Sequence, residues 1–197
     1  NKDIHVLHVD DDPSILDLFK EILSLETNFK IDAATSVDEA FKKLEQTSYD
    51  AIISDYEMPK KNGLTFLEEL RVRKSDIPFF IFTGKSQEEI AIKALNLGAD
   101  RYFKKTINPK ILYPELIHAI KQAIDKKLVA NELIKREAKL AAILESSQDA
   151  IAIINLEGNI IECNKATVDL YGAPSKKKLI GKNILTFLTK IDHKATL

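Results

Sequence analysis

Five short apolar runs alternate with amphipathic stretches between residue 4 and about residue 127. The runs predict strands over residues 4–9, 29–33, 51–54, 77–82 and 101–103. The stretches between them carry apolar residues at helical spacing. The third run is apolar on both faces, as are buried strands of parallel sheets. This alternation predicts a doubly wound α/β fold with a five-stranded parallel sheet and right-handed crossovers.

Local signals mark the starts of two predicted helices. Asp12 is suited to cap a helix whose first residue is Pro13. Ser36 and Glu39 form a capping box that opens another helix. Both helices begin directly after a predicted strand, as the α/β interpretation requires.

The helix that ends this region is predicted to be long. Residues 115–145 contain neither proline nor glycine, and apolar residues recur along them at loosely heptad spacing. Glu137 lies on the apolar track and weakens a coiled-coil interpretation. We expect a long connecting helix. Pairing of two copies along it stays open, beside a last helix that packs on the sheet and continues into a linker.

A different pattern begins near residue 146. Residues 150–154 and 160–163 predict two strands joined by a turn at residues 157–159. A short helix ending near Gly172 and an apolar stretch over residues 184–188 follow. We therefore expect a first domain over residues 1–127, a helical linker over 128–145 and a truncated α+β domain over 146–197.

Composition excludes several classes of function. The net charge of −1 gives no global attraction to nucleic acid, and the only short basic run is residues 176–178. The single cysteine, Cys163, excludes an internal disulfide framework and a cysteine-based zinc cluster. No apolar run is long enough to span a bilayer. We expect a cytoplasmic protein without a nucleic-acid or membrane partner.

Polar side chains follow four of the five predicted strands. Ligands bind outside the carboxyl ends of the strands in doubly wound sheets, so these side chains are expected to converge. They are Asp10, Asp11, Asp12, Asp55, Thr83, Lys104 and Lys105. Each alone has a simpler explanation, such as helix capping for Asp12 or turn chemistry for Thr83. Their joint occurrence at successive strand ends indicates a site.

The residue types at this rim suit phosphoryl transfer to aspartate. Clustered carboxylates repel one another unless a cation relieves them, and Mg²⁺, or Mn²⁺ in its place, takes hard oxygen ligands. A carboxylate can act as a nucleophile and form an acyl phosphate once cations neutralise the incoming oxygens. A hydroxyl and an ammonium group can bind those oxygens.

Residues 4 to about 127 resemble the receiver domain of two-component response regulators. The resemblance rests on four stretches: residues 8–13 (HVDDDP), 54–59 (SDYEMP) with Gly63, 82–84 (FTG) and 98–105 (GADRYFKK). It implies phosphorylation of Asp55. It also implies a metal site formed by Asp10, Asp11, Asp55 and the backbone carbonyl of Glu57.

The resemblance assigns further roles at the same rim. Thr83 and Lys105 are expected to bind the phosphoryl oxygens, and Thr83 and Tyr102 to form a switch that signals through the last helix of the domain. One position departs from the family pattern, because Thr106 stands where a proline usually follows the lysine. A cis bond before a residue other than proline costs about 2.5–4 kcal/mol, which leaves the isomer of the Lys105–Thr106 bond open.

The segment after residue 146 resembles the first half of a PAS sensor domain. The supporting residues are Asp149–Ile151, Leu156–Ile160, Asn164, Tyr171–Gly172 and Leu179–Lys182. These residues assign no ligand to the PAS segment, whose cofactor stays unknown.

Three functional hypotheses follow from the sequence. The leading one is a phosphorelay switch that accepts a phosphoryl group from a sensor histidine kinase or phosphotransfer protein. Its catalysis would be limited to its own phosphorylation and dephosphorylation. Pairing with a second copy through the last receiver helix, the linker or the PAS segment stays open. A receiver-like scaffold without phosphorylation is the alternative. An aspartyl-phosphate phosphatase is disfavoured, because Glu57 stands where such enzymes carry a second aspartate.

Overall fold

The computed structural model describes residues 3–24, 28–84, 88–105 and 109–187. The chain divides into two compact units, which we call the N-terminal unit (residues 1–128) and the C-terminal unit (residues 129–197). Over the described ranges, no helix combines the length and the apolar character needed to cross a membrane.

A five-stranded parallel sheet forms the centre of the N-terminal unit. Its strands are β1 (Ile4–Val9), β2 (Phe29–Ala34), β3 (Ala51–Ser54), β4 (Phe79–Thr83) and β5 (Arg101–Lys104), in the order β2-β1-β3-β4-β5. Its helices are α1 (Pro13–Ser24), α2 (Val37–Gln46), α3 (Gly63–Val72), α4 (Glu88–Asn96) and α5 (Pro109–Ser146). The predicted doubly wound sheet and the long helix that follows it are confirmed.

The sheet buries apolar side chains on both faces, because successive residues of a strand point to opposite sides. On β4, Phe79 and Ile81 pack with residues of α2, α3 and α4. Phe80 and Phe82 pack on the opposite face with residues of α1 and α5. The two cores fix all five strands from both sides, so the loops at the carboxyl ends of the strands start from rigid positions.

Strand β4 begins at Phe79, two residues later than predicted. The carbonyl of Ile77 accepts hydrogen bonds of 3.2 Å from both terminal nitrogens of Arg71. Arg71 also donates to the carbonyls of Ser75 and Gly98, both at 2.8 Å. The carbonyl of Ile77 is therefore bound by a guanidinium group, and the contact with β3 begins one residue later, where the N–H of Ile52 donates to the carbonyl of Pro78 at 2.8 Å.

The two predicted helix starts are found where expected, with one change of partner. Asp12 Oδ1 accepts from the backbone N–H of Ser14 at 2.9 Å, and α1 begins at Pro13. Ser36 caps α2 by accepting from the N–H of Glu39 at 3.3 Å. The Glu39 carboxylate accepts from Thr35 instead of Ser36, so the reciprocal half of the capping box reaches one residue further back.

The C-terminal unit contains the last turns of α5, a two-stranded antiparallel hairpin and two short helices. These are β6 (Ala152–Ile154), β7 (Ile160–Cys163), α6 (Lys165–Leu170) and a 3₁₀ helix (Lys176–Lys178). Strand β6 starts later than predicted because the N–H of Ile151 donates to Asn164 Oδ1 at 3.0 Å. The end of the predicted apolar stretch at residue 188 lies outside the described residues.

Candidate functional site

Three carboxylates meet at the carboxyl ends of β1 and β3. Asp10 and Asp11 follow β1 directly, and Asp55 follows β3 directly. One oxygen of each carboxylate lies within 4.8 Å of the others. Asp10 and Asp55 are buried, with 1% and 6% of their surface exposed, whereas Asp11 is exposed. The strand ends thus bring together the three acidic residues that the sequence singled out.

The ammonium group of Lys105 lies between two of these carboxylates. Its Nζ is 2.6 Å from Asp10 Oδ2 and 3.2 Å from Asp55 Oδ1. The backbone N–H of Lys105 donates to the carbonyl of Thr83 at 2.7 Å, which ties the loop after β5 to the end of β4. Lys104, the other lysine considered, is the last residue of β5 and is paired in register with Thr83.

The backbone of Asp55 is held by its neighbours on several sides. Its N–H donates to the carbonyl of Val9 at 2.8 Å, and its Oδ1 accepts from the N–H of Tyr56 at 2.8 Å. The Ser54 hydroxyl donates to the Asp55 carbonyl at 2.9 Å. The carboxylate therefore has a fixed origin and a fixed direction before any ligand arrives.

Gly63 has a role at the site that the sequence analysis did not identify. A Cβ on Gly63 would lie 2.3 Å from the carbonyl oxygen of Asp55, so α3 can approach the site closely only with glycine here. A sequence signal exists, because Asn62 already caps α3 by accepting from the N–H of Thr65. A capped helix has no need of a glycine at its first position, so Gly63 indicates a close backbone contact.

Burial and charge act on Asp55 in opposite directions. Desolvation raises the pKa of its carboxyl above the ordinary value, and the negative charge of Asp10 adds to the rise. The ammonium group of Lys105 lowers the pKa and so favours the ionised carboxylate. A second cation at this site would act in the same direction as Lys105.

The donor set fits a divalent cation. Three carboxylates and one lysine leave two negative charges at a site whose oxygens lie within 4.8 Å of one another. Mg²⁺ prefers hard oxygen ligands of this kind, and Mn²⁺ accepts the same ligands. Glu57, whose backbone carbonyl the sequence analysis assigned as a fourth ligand, lies in the loop that follows Asp55, with its side chain exposed.

The two residues of the expected switch lie on neighbouring strands and on the same face of the sheet. Thr83 is buried at the end of β4. Tyr102 is paired in register with Ile81, two residues before Thr83, and its half-buried ring packs against the α2–α4 core. Thr106 and the isomer of its peptide bond lie outside the described residues.

His8 is a second residue that the sequence analysis passed over. It lies in β1 with no exposed surface, and its ring packs 4.1 Å from that of Phe19. Neither ring nitrogen has a hydrogen-bond partner in the part of the chain that the structure describes. Burial and the nearby charge of Lys105 lower its pKa to about 3, so the imidazole is neutral at pH 7. The available signal was the presence of two histidines, His5 and His8, in a strand whose other residues are apolar.

The assembled groups can carry out one kind of chemistry. Asp55 offers a nucleophilic oxygen, Lys105 offers positive charge 3.2 Å from it, and the remaining carboxylates can bind a cation. Such a site suits the transfer of a phosphoryl group to Asp55, since that reaction depends on positioning and on charge stabilisation.

Family models match both parts of the chain. The model described as "Response regulator receiver domain" matches residues 6–121, and the model of the PAS fold matches residues 138–197. Among curated proteins, the response regulator SaeR of Staphylococcus aureus strain USA300 is 34% identical over 154 residues. That match covers 77% of this chain, which spans about 60% of the length of SaeR.

Solved structures resemble the N-terminal unit. The receiver domain of the Francisella response regulator 1452 has a TM-score of 0.58 at 26% identity and covers 64% of this chain and 99% of its own. A receiver domain protein from Clostridium thermocellum has a TM-score of 0.58 at 28% identity, with 64% and 98% covered. A CheY-like receiver domain protein from Methanospirillum hungatei has a TM-score of 0.56 at 28% identity, with 64% and 99% covered.

Proposed function

We propose, since this chain belongs to the response regulator receiver domain family, that Asp55 accepts the phosphoryl group in a two-component phosphorelay. The observation that carries the proposal is the meeting of Asp10, Asp11 and Asp55 within 4.8 Å, with Lys105 3.2 Å from Asp55. A receiver domain is a phospho-acceptor switch, so the reaction leaves a modified protein.

The transfer forms one bond and breaks another. An oxygen of the Asp55 carboxylate attacks phosphorus, and the bond from phosphorus to the donor breaks, with its electron pair leaving on the donor. The product is an acyl phosphate. We propose that a phosphohistidine of a sensor histidine kinase or phosphotransfer protein is the donor. Lys105 offsets charge on one phosphoryl oxygen, and the Thr83 hydroxyl donates to another.

Asp10, Asp11, Asp55 and the backbone carbonyl of Glu57 are the groups that would hold a divalent cation. When bound, Mg²⁺ supplies positive charge that offsets the phosphoryl oxygens. Because Asp10 accepts from the N–H of Asp12 at 3.0 Å as well as from Lys105, its carboxylate is oriented by the protein itself.

We propose that phosphorylation is passed on through Tyr102 and α5. When the Thr83 hydroxyl turns toward the phosphoryl group, the Tyr102 ring gains space on the same face of the sheet. Helix α5 contributes Leu112, Leu116 and Ile120 to the N-terminal core and continues as one helix to Ser146, within the segment that matches the PAS fold. Hydrogen exchange in residues 129–146 should therefore change when Asp55 is phosphorylated.

Pairing of two copies along α5 belongs to the same proposal. The helix exposes a series of large apolar side chains, namely Leu128, Val129, Leu133, Ile134, Leu140 and Ile143. A second copy could cover these side chains, and sedimentation velocity of the chain with and without phosphorylation would measure the association.

The decisive experiment is incubation with acetyl phosphate and Mg²⁺, followed by intact mass spectrometry. The chain should gain one phosphoryl group, and Asp55→Asn should gain none. Asp12→Asn is the matched control, because Asp12 is an exposed neighbouring acid. Asp12 caps α1, and an asparagine at this position can still cap the helix. Removal of the metal with a chelator should abolish the gain.

Two results would contradict the proposal. A phosphoryl group that persists in Asp55→Asn would place the acceptor elsewhere. A lack of any adduct with Mg²⁺ or Mn²⁺ would instead favour a receiver-like scaffold that binds partners without phosphorylation.

A further inference from the structure

A cleft of about 500 Å³ lies within the C-terminal unit, between the last turns of α5 and one face of the β6–β7 hairpin. Its helical wall uses residues spaced by three and four positions, which share one side of a helix. Its residues are Glu137, Leu140, Ala141, Leu144, Glu145, Ile151, Ile153, Glu162, Cys163, Asn164 and Lys176.

The cleft lies mainly outside the small core of the C-terminal unit and meets it at Cys163. Ala152 packs against that core, whereas its neighbours Ile151 and Ile153 line the cleft. Because adjacent strand residues point to opposite faces, Ala152 and Ile153 face opposite sides of the hairpin, so the cleft extends beyond the core face. Leu140 and Ile153 keep 62% and 47% of their surface exposed, so the apolar walls are open to a ligand.

The rim of the cleft is acidic. Glu137, Glu145 and Glu162 line it, against the single ammonium group of Lys176. Lys176 forms an ion pair with Glu162, and Glu145 is close enough that its charge contributes to the raised pKa of the lysine. The carboxylates exceed the ammonium group by two negative charges.

We propose that this cleft binds a small organic cation, an amine with an apolar body. Ligand clefts typically measure about 300–1,000 Å³ and combine apolar walls with a few polar groups, and the cleft has both properties. Leu140, Leu144 and Ile153 cover the apolar body, and Glu145 and Glu137 attract the ammonium group. A bound amine contacts both α5 and the hairpin, and therefore stabilises the C-terminal unit. The proposal rests on the lining of the cleft and does not require phosphorylation at Asp55.

The probes that test the proposal are 4-phenylbutylamine, 4-phenylbutanoate and 4-phenylbutanol, which share one body and differ in charge. Each is titrated into the full chain while the isoleucine and leucine methyl signals are followed by NMR. The amine should bind about tenfold more tightly than the carboxylate, with the alcohol between them, as two excess rim charges imply. The signals that move should be those of Leu140, Leu144, Ile151 and Ile153.

Two kinds of variant separate the contributions of shape and charge. Ala141→Phe fills the cleft and should abolish binding of all three probes, whereas Ala142→Phe, on the exposed side of the same helix, should leave it intact. Ala141→Leu serves as a smaller filling if Ala141→Phe lowers the melting temperature of the unit. Glu137→Gln with Glu145→Gln should weaken amine binding about three- to tenfold and leave the alcohol unchanged.

Equal affinity for the amine and the carboxylate would overturn the assignment of charge. Amine binding that survives both fillings of Ala141 would overturn the assignment of the cleft.

Discussion

The two units of this chain each bury a polar side chain, and they treat it in opposite ways. His8 is fully buried in the N-terminal unit, and neither ring nitrogen has a partner among the described residues. Asn164 is 1% exposed in the C-terminal unit, and both ends of its amide are hydrogen-bonded. Its Oδ1 accepts from the backbone of Ile151 and from the N–H and hydroxyl of Thr167.

The difference follows from the size of the apolar cores. The N-terminal unit buries apolar side chains on both faces of its sheet. In the C-terminal unit, the buried members of the core within the described range are Ile160, Cys163 and Leu179, with partly buried residues packed around them. An unpartnered buried polar group costs about 1–3 kcal/mol, which a large core can absorb and a small one cannot. The C-terminal unit therefore depends on hydrogen bonds where the N-terminal unit depends on packing.

Removal of the Asn164 amide should produce the largest effect. Its Nδ2 donates to the carbonyls of Leu144, Ser147 and Asp149, so it joins the end of α5 to the hairpin. Asn164→Ala leaves several buried partners unsatisfied and should destabilise the C-terminal unit by about 3–5 kcal/mol. Hydrogen exchange should show loss of protection over residues 150–170 alone.

Asn159→Ala is the control for this prediction, because the Asn159 side chain bonds only an exposed glutamate among the described residues. Equal losses of protection in the two variants, or a loss that spreads into the central sheet, would show that Asn164 does not have this special role.

In the N-terminal unit, we expect the next largest effect from a substitution at the close backbone contact between Gly63 and Asp55. Gly63→Ala places a methyl group 2.3 Å from the Asp55 carbonyl, so the strand end must move. A displacement of about 1 Å at a reacting group can cost about a hundredfold in rate. We expect the rate of phosphorylation by acetyl phosphate to fall by about that factor, and the thermal midpoint to fall as well, because the atom in the way is a backbone oxygen that cannot move cheaply.

Gly84→Ala controls for loss of a glycine near the site, since a Cβ there meets no atom of the described residues within 4 Å. An unchanged phosphorylation rate in Gly63→Ala would mean that Asp55 tolerates displacement and that the close approach of α3 serves packing alone.

The buried His8 should make the stability of the N-terminal unit depend on pH. Its pKa is lowered from 6.5 to about 3. Between these two values the imidazole is protonated in the unfolded chain and neutral in the folded unit. Stability is therefore full above pH 6.5 and is lost as pH falls toward 3. At pH 5 the loss is about 2 kcal/mol. His8→Leu should remove this part of the difference in unfolding free energy between pH 8 and pH 5, measured by urea unfolding.

The exposed His118 provides the control, because His118→Leu should leave the dependence on pH in place. If His8→Leu and the unmodified chain lose the same stability between pH 8 and pH 5, other groups cause the acid sensitivity.

These contrasts also show which features could be predicted from the sequence. The sheet and the convergence of Asp10, Asp55 and Lys105 could be predicted, because strand periodicity and the topology of parallel sheets place strand ends together. The clash at Gly63 could not, since it depends on the distance between α3 and β3. The later start of β4 depends on Arg71, whose guanidinium group reaches carbonyls in two separate loops.

The C-terminal unit was harder to predict for the same reason. Asn164 is one of the residues that carry the resemblance to a PAS domain, but the three carbonyls that it binds lie 15 to 20 residues earlier in the chain. Residue types and spacing do not indicate which distant carbonyls one amide will reach. Apolar core residues can be predicted because they recur at the period of a helix or a strand. A single buried amide such as Asn164 has no such periodicity.

The smallest expected change in stability is at the surface ion pair of the C-terminal unit. Its size tests whether exposed polar contacts, as well as buried ones, stabilise this unit. Lys176 of the 3₁₀ helix pairs with Glu162 of β7, with 43% and 46% of their side chains exposed. The lysine lowers the pKa of Glu162, so the stabilisation is present above the ordinary glutamate pKa and is lost as pH falls through the lowered value. Solvent screening limits such a pair to about 0.5 kcal/mol, and Lys176→Met should cost no more than that at pH 7. A double-mutant cycle with Glu162→Gln, measured by thermal unfolding at low and high salt, isolates the coupling. A coupling above about 2 kcal/mol would show that exposed ion pairs stabilise this unit in addition to the buried amide of Asn164.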